Sequence, residues 1–201
     1  MTTRVGVLLS GRGSNFLALH RAMANGEVPA AISLVVSNRA DAPGLAAARG
    51  LGLETACLPH RGEPSREAHD AKVAAALEEA GVEWVCLAGY MRLLSAVLVD
   101  AFHLRILNIH PSLLPAFPGL EAQRQALEYG ARISGCTVHM VDAELDRGPV
   151  VIQRVVAIED GDSVDTLSAR ILEQEHRAYP EALNKLLTVP WRLEGRRLLF
   201  S

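Results

Sequence analysis

Short apolar segments alternate with segments of helical character along the first two-thirds of the chain. VGVLLS precedes a helix predicted from about Asn15, AAISLVVS precedes one from about Pro43, and ETACLP precedes one that opens at Ser65. WVCLAGY and RILNIH continue the series, followed by SAVLVDAF and AQRQALEYG. Because the strand candidates are apolar throughout rather than at every second position, both of their faces must be covered. The sequence therefore predicts a doubly wound α/β domain with a mainly parallel sheet and helices on both faces.

The pattern changes after Gly130. Two strand candidates, ISGCTVHMV and GPVVIQRVVAI, follow in near succession and are expected to pair antiparallel or to extend the sheet. One long helix, over about Ser163 to Leu187, then closes the domain. Its apolar stripe includes Glu175, and a carboxylate on an apolar face requires a partner. That partner is either the ammonium or hydroxyl groups of a ligand or a salt bridge at the helix edge.

Composition and charge exclude several classes of protein. The 201 residues carry a formal charge of −3 with Lys and Arg dispersed, so a nucleic-acid partner is disfavoured. No apolar segment approaches the roughly 18 residues of a membrane span, so neither export nor membrane insertion is expected. Cys57, Cys86 and Cys136 are far apart and lie in apolar segments, which is typical of reduced core thiols. We therefore expect a cytoplasmic protein.

The segment SGRGSN, Ser10 to Asn15, lies where the first strand ends and the first helix begins. Glycines let the backbone approach a ligand there, and a helix N-terminus favours an anion, most naturally a phosphate. A dinucleotide site would require a third glycine and an acidic residue after the second strand. Leu17 and Arg39 are found instead, so NAD is not expected and NADP is favoured only by Arg39. The alternative is a turn without a ligand, capped by Ser14 or Asn15.

The segment LNIHPSLLP places Asn108 and His110 two residues apart on one strand, so their side chains point to the same side. Pro111 and the prolines that follow end the sheet at this imidazole. Ligands of open α/β sheets bind at this carboxyl end of the strands. His110 is therefore either a general acid or electrostatic donor or a hydrogen-bonded structural residue.

His139 and Asp146, which end or follow a late strand, strengthen the catalytic interpretation if the fold brings them to His110. A neighbouring carboxylate fixes the tautomer of an imidazole and favours its charged form. The alternatives are a turn residue for Asp146 and a hydrogen-bonded strand residue for His139. No metal site is expected, because the histidines are scattered and no metal-binding motif is present.

Taken together, six motifs resemble the phosphoribosylglycinamide formyltransferase family, the folate-dependent transformylases of purine synthesis. They are SGRGSN, SREAHD, LAGYMRLLS, LNIHPSLLPAFPG, GCTVHMVDAELDRGPV and QEHRAYP, in family order over nearly all of the chain. The resemblance implies one formyltransferase domain over residues 1–201. Residues 1–105 would form its phosphate-binding half and residues 106–201 its catalytic and folate-binding half.

The resemblance also implies the substrates and the residues that bind them. The substrates would be glycinamide ribonucleotide and 10-formyltetrahydrofolate, with no metal and no NAD, in a monomer or homodimer. The ribotide would be bound by Gly13, Ser14, Asn15 and Glu175. The catalytic set would be Asn108, His110 and Asp146. The folate would lie along Arg66, Met91, Arg92, Leu93, Leu94, Asn108, Val141, Asp142 and Asp146, in part on the loop 141–146.

Departures and rival interpretations remain. Relatives often have histidines where this chain has Glu121 and Gln123, and a lysine at Ala116, so contacts at that lip of the site are open. Related transformylases of initiator tRNA carry a C-terminal domain and hydrolases usually an N-terminal one; the length of this chain is expected to exclude both. The rivals are a formyltetrahydrofolate hydrolase, a non-catalytic phosphosugar-binding module and, third, an NADP-dependent oxidoreductase.

Overall fold

The computed structural model describes residues 2–142 and 144–201. Its strands, numbered in chain order, are β1 (Thr3–Leu9), β2 (Ala30–Ser37), β3 (Thr55–Cys57), β4 (Trp84–Leu87), β5 (Ile106–His110), β6 (Ile133–Met140), β7 (Val150–Ala157), β8 (Trp191–Glu194) and β9 (Arg197–Phe200). Its helices are α1 (Ser14–Ala24), α2 (Pro43–Gly50), α3 (Arg66–Glu79), α4 (Ala96–Ala101), α5 (Ala122–Tyr129) and α6 (Val164–Thr188).

Seven of these strands form one sheet, in the order β3-β2-β1-β4-β5-β6-β7. Strand β1 pairs in parallel with β2 and β4, and β2 pairs in parallel with β3. Strands β6 and β7 pair antiparallel, as expected for the two late strand candidates. The predicted doubly wound, mainly parallel α/β fold is confirmed.

Helix boundaries follow local chemistry in the sequence. Helix α2 has Pro43 at its first position, where the missing N–H costs nothing. The Ser65 side chain accepts the Ala68 N–H at 3.1 Å and so caps α3. Ser163 and Thr166 form a reciprocal capping box at the start of α6, so this helix begins within one residue of its predicted position.

The chain divides into two compact units, Met1–Leu107 and Asn108–Ser201. In the first unit, β1 is buried over its last five residues and β4 over its whole length. These strands are too apolar to face water on either side, which is why helices must cover them. The strand ends of this unit carry the polar residues Ser10 and Asn38, both buried.

In the second unit, α6 packs against β6 and β7. The stripe predicted on α6 is largely buried, and it includes Leu167, Ile171 and Glu175. Strands β8 and β9 were not predicted from the sequence; they pair antiparallel across a turn with Gly195 at φ 59. No helix in the described part of the chain is both long and apolar enough to cross a membrane.

Candidate active site

The glycine loop joins β1 to α1 through a left-handed residue. Gly13 precedes the helix with φ 74 and ψ 27, and no side chain caps the helix start. A Cβ on Gly13 would lie 2.9 Å from the Cα of Gly44, so the close backbone approach requires glycine at this position. The cap predicted at Ser14 or Asn15 is not formed, because Gly13 occupies the cap position. The first turn of α1 presents backbone N–H groups without a capping side chain, as an anion site requires.

The segment Met91–Leu94, predicted to bind folate, follows β4 in the same unit. The Met91 and Leu93 side chains are 69% and 52% exposed, so the segment presents apolar surface to solvent. Arg92 and Leu94 are half-buried. Arg66, the first residue of α3, is exposed and its Nε lies 3.8 Å from Glu67. The segment therefore presents two exposed apolar side chains and the guanidinium of Arg92.

Asn108 and His139 are directly bonded in the second unit. Asn108 Nδ2 donates to His139 Nε2 at 3.2 Å, and His139 Nδ1 donates to the Met140 carbonyl at 2.9 Å. The two bonds fix one neutral tautomer of His139. Burial is the main cause that lowers the pKa of His139, which keeps the ring neutral. Because His139 uses one N–H of the Asn108 amide, the orientation of that amide is set.

His110 lies between two oxygen acceptors. Its Nε2 is 2.9 Å from the Phe117 carbonyl, and its Nδ1 is 3.5 Å from Asp146 Oδ2. Both His110 and Asp146 are almost fully buried. A ring that donates to both acceptors must carry a proton on each nitrogen. Asp146 Oδ1 also lies 3.9 Å from His139 Nε2, so the structure brings the predicted catalytic residues together.

The loop after β5 is held by side chains of the following strands. Leu114 and Pro115 are joined by a cis peptide bond, and the Leu114 N–H donates to Thr137 Oγ1 at 3.0 Å. Thr137 in turn donates to the Ser112 carbonyl, and Gln153 donates to the Leu114 carbonyl. These bonds hold the start of the loop, at Ser112 and Leu114, against β6 and β7.

The Asp146 carboxylate has its own anchor. Its Oδ2 accepts the Gly119 N–H at 2.8 Å. Asp146 has φ 54, a left-handed conformation that Asp and Asn tolerate better than most residues. Asp146 was predicted as a site residue from its position after a strand, but its contact with Gly119 has no local sequence signal.

The remaining predicted binding residues lie elsewhere in these units. Glu175 is buried on α6, and it contributes with burial to raising the pKa of the Cys136 thiol to about 12. Asp142 Oδ1 accepts the Glu144 N–H at 2.9 Å, and Val141 is half-buried. The predicted folate loop 141–146 contains residue 143, which lies outside the described residues.

Other chemical groups were also placed by the structure. Cys57, Cys86 and Cys136 are not joined in disulfides. Within residues 2–142 and 144–201, no three His, Cys, Asp or Glu side chains are grouped as a metal ion would require. Glu121 precedes α5 and pairs with Arg124 at 3.3 Å. No role was predicted for Asn38 or His60, which are linked to Ser10 through side-chain hydrogen bonds.

These features define a class of protein. One unit presents an uncapped helix N-terminus suited to a phosphate. The other holds two imidazoles beside one carboxylate, with an amide bonded to one of the rings, and such a cluster suits group-transfer chemistry. The chain belongs to the formyl transferase family, whose pattern its sequence matches over residues 3–183.

Individual relatives narrow the comparison. The chain is 43% identical over 190 residues to the phosphoribosylglycinamide formyltransferase of Escherichia coli, covering 94% of this chain and 87% of that protein. It is 48% identical over 182 residues to the trifunctional purine biosynthetic protein adenosine-3 of Drosophila pseudoobscura pseudoobscura, covering 90% of this chain. The chain spans only 13% of the length of that larger protein.

Solved structures agree with the sequence comparison. The crystal structure of glycinamide ribonucleotide transformylase 1 from Symbiobacterium toebii has a TM-score of 0.97 and 49% identity, and the match covers 99% of this chain and 94% of that one. The two chains therefore share one fold over nearly their whole lengths.

Proposed function

We propose that this chain transfers the formyl group of 10-formyltetrahydrofolate to the amine of glycinamide ribonucleotide, as the names of its relatives suggest. The observation that carries the proposal is the pairing of His110 with Asp146, together with the bond from Asn108 to His139, whose Nε2 lies 3.9 Å from the same carboxylate. In this reaction the amine attacks the formyl carbon, and negative charge develops on the formyl oxygen. A site for that chemistry needs donors and positive charge fixed in place before the substrate arrives.

The residues divide this work according to their hydrogen bonds. His139 takes one N–H of the Asn108 amide, and the second N–H of the amide serves the formyl oxygen. The imidazolium of His110 adds positive charge beside that oxygen, and Asp146 sustains the charge. A direct bond from His110 Nε2 to the substrate would require the Phe117 carbonyl to give up its donor. Asn108 is therefore the primary direct donor in this proposal.

The proton follows a short route. The attacking nitrogen must lose a proton and the leaving nitrogen of the folate must gain one. Asp146 assists a water molecule in carrying it, and no covalent enzyme intermediate is required. Two substrates fixed in line contribute several kcal/mol by proximity, and exclusion of bulk water protects the formyl group.

We assign the binding residues as proposals. Gly13, Ser14 and Asn15 bind the ribotide phosphate through the start of α1, and Glu175 binds the ribose or glycinamide portion. The folate is bound by Arg66, Met91, Arg92, Leu93, Leu94, Asn108, Val141, Asp142 and Asp146. No metal, nicotinamide cofactor, nucleic acid or membrane takes part, and the chain acts as a monomer or homodimer. The division into a phosphate-binding half and a catalytic half belongs to the same proposal.

One spectrophotometric assay tests the activity. The deformylated folate is followed with and without glycinamide ribonucleotide, and we expect turnover that depends strongly on the ribotide. Rapid deformylation that the ribotide does not change would instead identify a hydrolase. Tight ribotide binding without any turnover would identify a non-catalytic phosphosugar-binding module.

A further inference from the structure

A chain of hydrogen bonds begins at the Met91 N–H and runs through three buried or half-buried side chains of the first unit, Ser10, Asn38 and His60. The Met91 N–H donates to Ser10 Oγ at 2.9 Å, and the Ser10 hydroxyl donates to Asn38 Oδ1 at 2.6 Å. Asn38 Nδ2 then donates to His60 Nδ1 at 3.2 Å. We propose that Ser10, Asn38 and His60 form a directional hydrogen-bond relay that positions the Met91–Leu94 segment for folate. This role rests on the proposed function of that segment.

The direction of the relay follows from its first donor. A backbone N–H can only donate, so Ser10 Oγ must accept from Met91 and use its own hydrogen for Asn38. The Asn38 oxygen is then occupied, and its amide nitrogen faces the ring of His60. His60 Nδ1 must therefore be unprotonated. A proton at that nitrogen places two donors against each other and breaks the last bond of the relay.

The surroundings of His60 favour the neutral ring. Burial is the main cause that lowers the pKa of His60, and the positive charge of Arg92 is the next. His69 and Arg61 act in the same direction. The ring of His69 meets that of His60 edge to face, with centroids 6.3 Å apart. The charged or titratable groups near His60 are thus Arg92, His69 and Arg61, and each of them disfavours a positive charge on the His60 ring.

A second anchor holds the other end of the same segment. The Ser95 N–H donates to Asp70 Oδ2 at 2.5 Å, and both residues are buried. Asp70 Oδ1 lies 3.2 Å from His69 Nδ1, whose other nitrogen is 3.0 Å from the Leu58 carbonyl. The anchor at Ser95 does not pass through His60. It therefore serves as an internal reference for the anchor at Met91.

The relay acts on positioning and not on the reacting atoms. The Met91 side chain is exposed, and its backbone N–H is bonded to the Ser10 hydroxyl. The Ser10 N–H also donates to the Gly89 carbonyl at 3.0 Å, two residues before Met91. Loosening this backbone should weaken binding of the folate while leaving formyl transfer within the bound complex intact. The expected signature is a higher KM for folate at nearly constant kcat.

The matched variants are His60→Asn and His60→Ala. The asparagine oxygen stands in for Nδ1 and cannot be protonated, whereas alanine removes the acceptor. His60 is only half-buried, so neither variant endangers the core. Ser10→Ala, which removes the acceptor of Met91 directly, sets the full size of the effect. In that variant we expect exchange of the Met91 amide hydrogen to be faster on the order of 10-fold.

Hydrogen exchange of the Met91 amide, relative to the Ser95 amide, is measured first in the ligand-free protein between pH 7 and pH 5. In the wild type the ratio should rise as the pH falls, because protonation of His60 breaks the relay. The His60→Asn variant should keep a low and constant ratio, and His60→Ala a high one. Equal ratios in all three proteins would overturn the proposal.

Steady-state kinetics complete the test. We expect His60→Ala to raise the KM for folate several-fold, with kcat and the KM for ribotide little changed, and His60→Asn to restore the wild-type value at pH 7. Failure of His60→Asn to rescue would overturn the relay. Absence of formyl transfer in the wild type would overturn the proposed function instead, and the exchange ratios in the ligand-free protein would still decide whether the relay exists.

Discussion

Asp146→Asn isolates the negative charge beside His110. Asparagine adopts the left-handed conformation found at Asp146, φ 54, with little strain. Its side-chain oxygen can still accept the Gly119 N–H, which is now bonded at 2.8 Å. The backbone and the anchor are therefore kept while the charge is lost. An alanine at this position would lose the favourable backbone conformation, the bond to Gly119 and the charge at once, so their effects could not be separated.

The distance sets a ceiling for the effect. Opposite unit charges 3.5 Å apart, the separation of His110 Nδ1 and Asp146 Oδ2, attract by about 5 kcal/mol at an effective dielectric constant of about 20. Loss of hydration offsets part of this attraction. We expect kcat to fall on the order of 10²-fold, the scale of one transition-state donor and about 2.7 kcal/mol. That value is roughly half of the ceiling, and the KM values should change by less than about threefold.

Single-turnover formyl transfer, followed through absorbance of the deformylated folate, measures this step directly. Asp160→Asn is the matched control, since Asp160 is exposed and pairs with Arg132 at 2.5 Å, away from any predicted site residue. The double variant His110→Ala with Asp146→Asn should lose less than the product of the single losses, because the two residues act as a unit. If kcat of Asp146→Asn stayed within about threefold of the wild type, or if the loss in the double variant equalled the product of the single losses, the proposed action of Asp146 through His110 would be wrong.

Three further predictions concern stability and binding. A Cβ at position 148 would lie 1.8 Å from the Met140 carbonyl oxygen, so Gly148→Ala should lower the free energy of unfolding in urea by roughly 3 kcal/mol or more; Gly161→Ala, where a Cβ meets nothing within 4 Å, should change it by less than about 0.5 kcal/mol. Ser14→Glu should weaken ribotide binding on the order of 10-fold in calorimetry, because a carboxylate occupies the anion position, and equal weakening of folate binding would contradict this assignment. The folded-state pKa of His139 lies below its ordinary value of 6.5, so below about pH 6.5 the unfolded state binds more protons than the folded state. The free energy of unfolding should therefore decrease as the pH falls below about 6.5. His139→Gln should reduce this dependence on pH, and an unchanged dependence would show that the ring is not responsible.

Much of the fold could be predicted because its signals are local. A proline at the first position of α2, serine caps before α3 and α6, and continuous apolar strands each follow from a few adjacent residues. The hairpin of β8 and β9 was missed because its strands have only four residues each and are mostly exposed, so no periodic pattern stands out. Gly195 was the available turn signal.

The candidate site was predictable in its members but not in its bonds. Strand alternation placed Asn108 and His110 on one side, and position after a strand indicated Asp146. The relay through Asn38 joins residues 28 positions away in one direction and 22 in the other, and nothing in either neighbourhood marks the pair. Such contacts follow from strand order, which brings the ends of β1, β2 and β4 to one edge of the sheet.

The two histidines near Asp146 show why residue type alone could not assign protonation. His139 donates to the Met140 carbonyl and accepts from Asn108, so one ring nitrogen must carry a proton and the other must not. His110 faces a carbonyl and a carboxylate, and the proposed mechanism requires a proton on each of its nitrogens. In that mechanism a neutral ring orients the amide and a charged ring supports the oxyanion, and the carboxylate lies within 4 Å of both rings. Exchanging these states would present Asn108 with a donor and leave His110 without its charge, so the two imidazoles cannot substitute for one another although both end a strand.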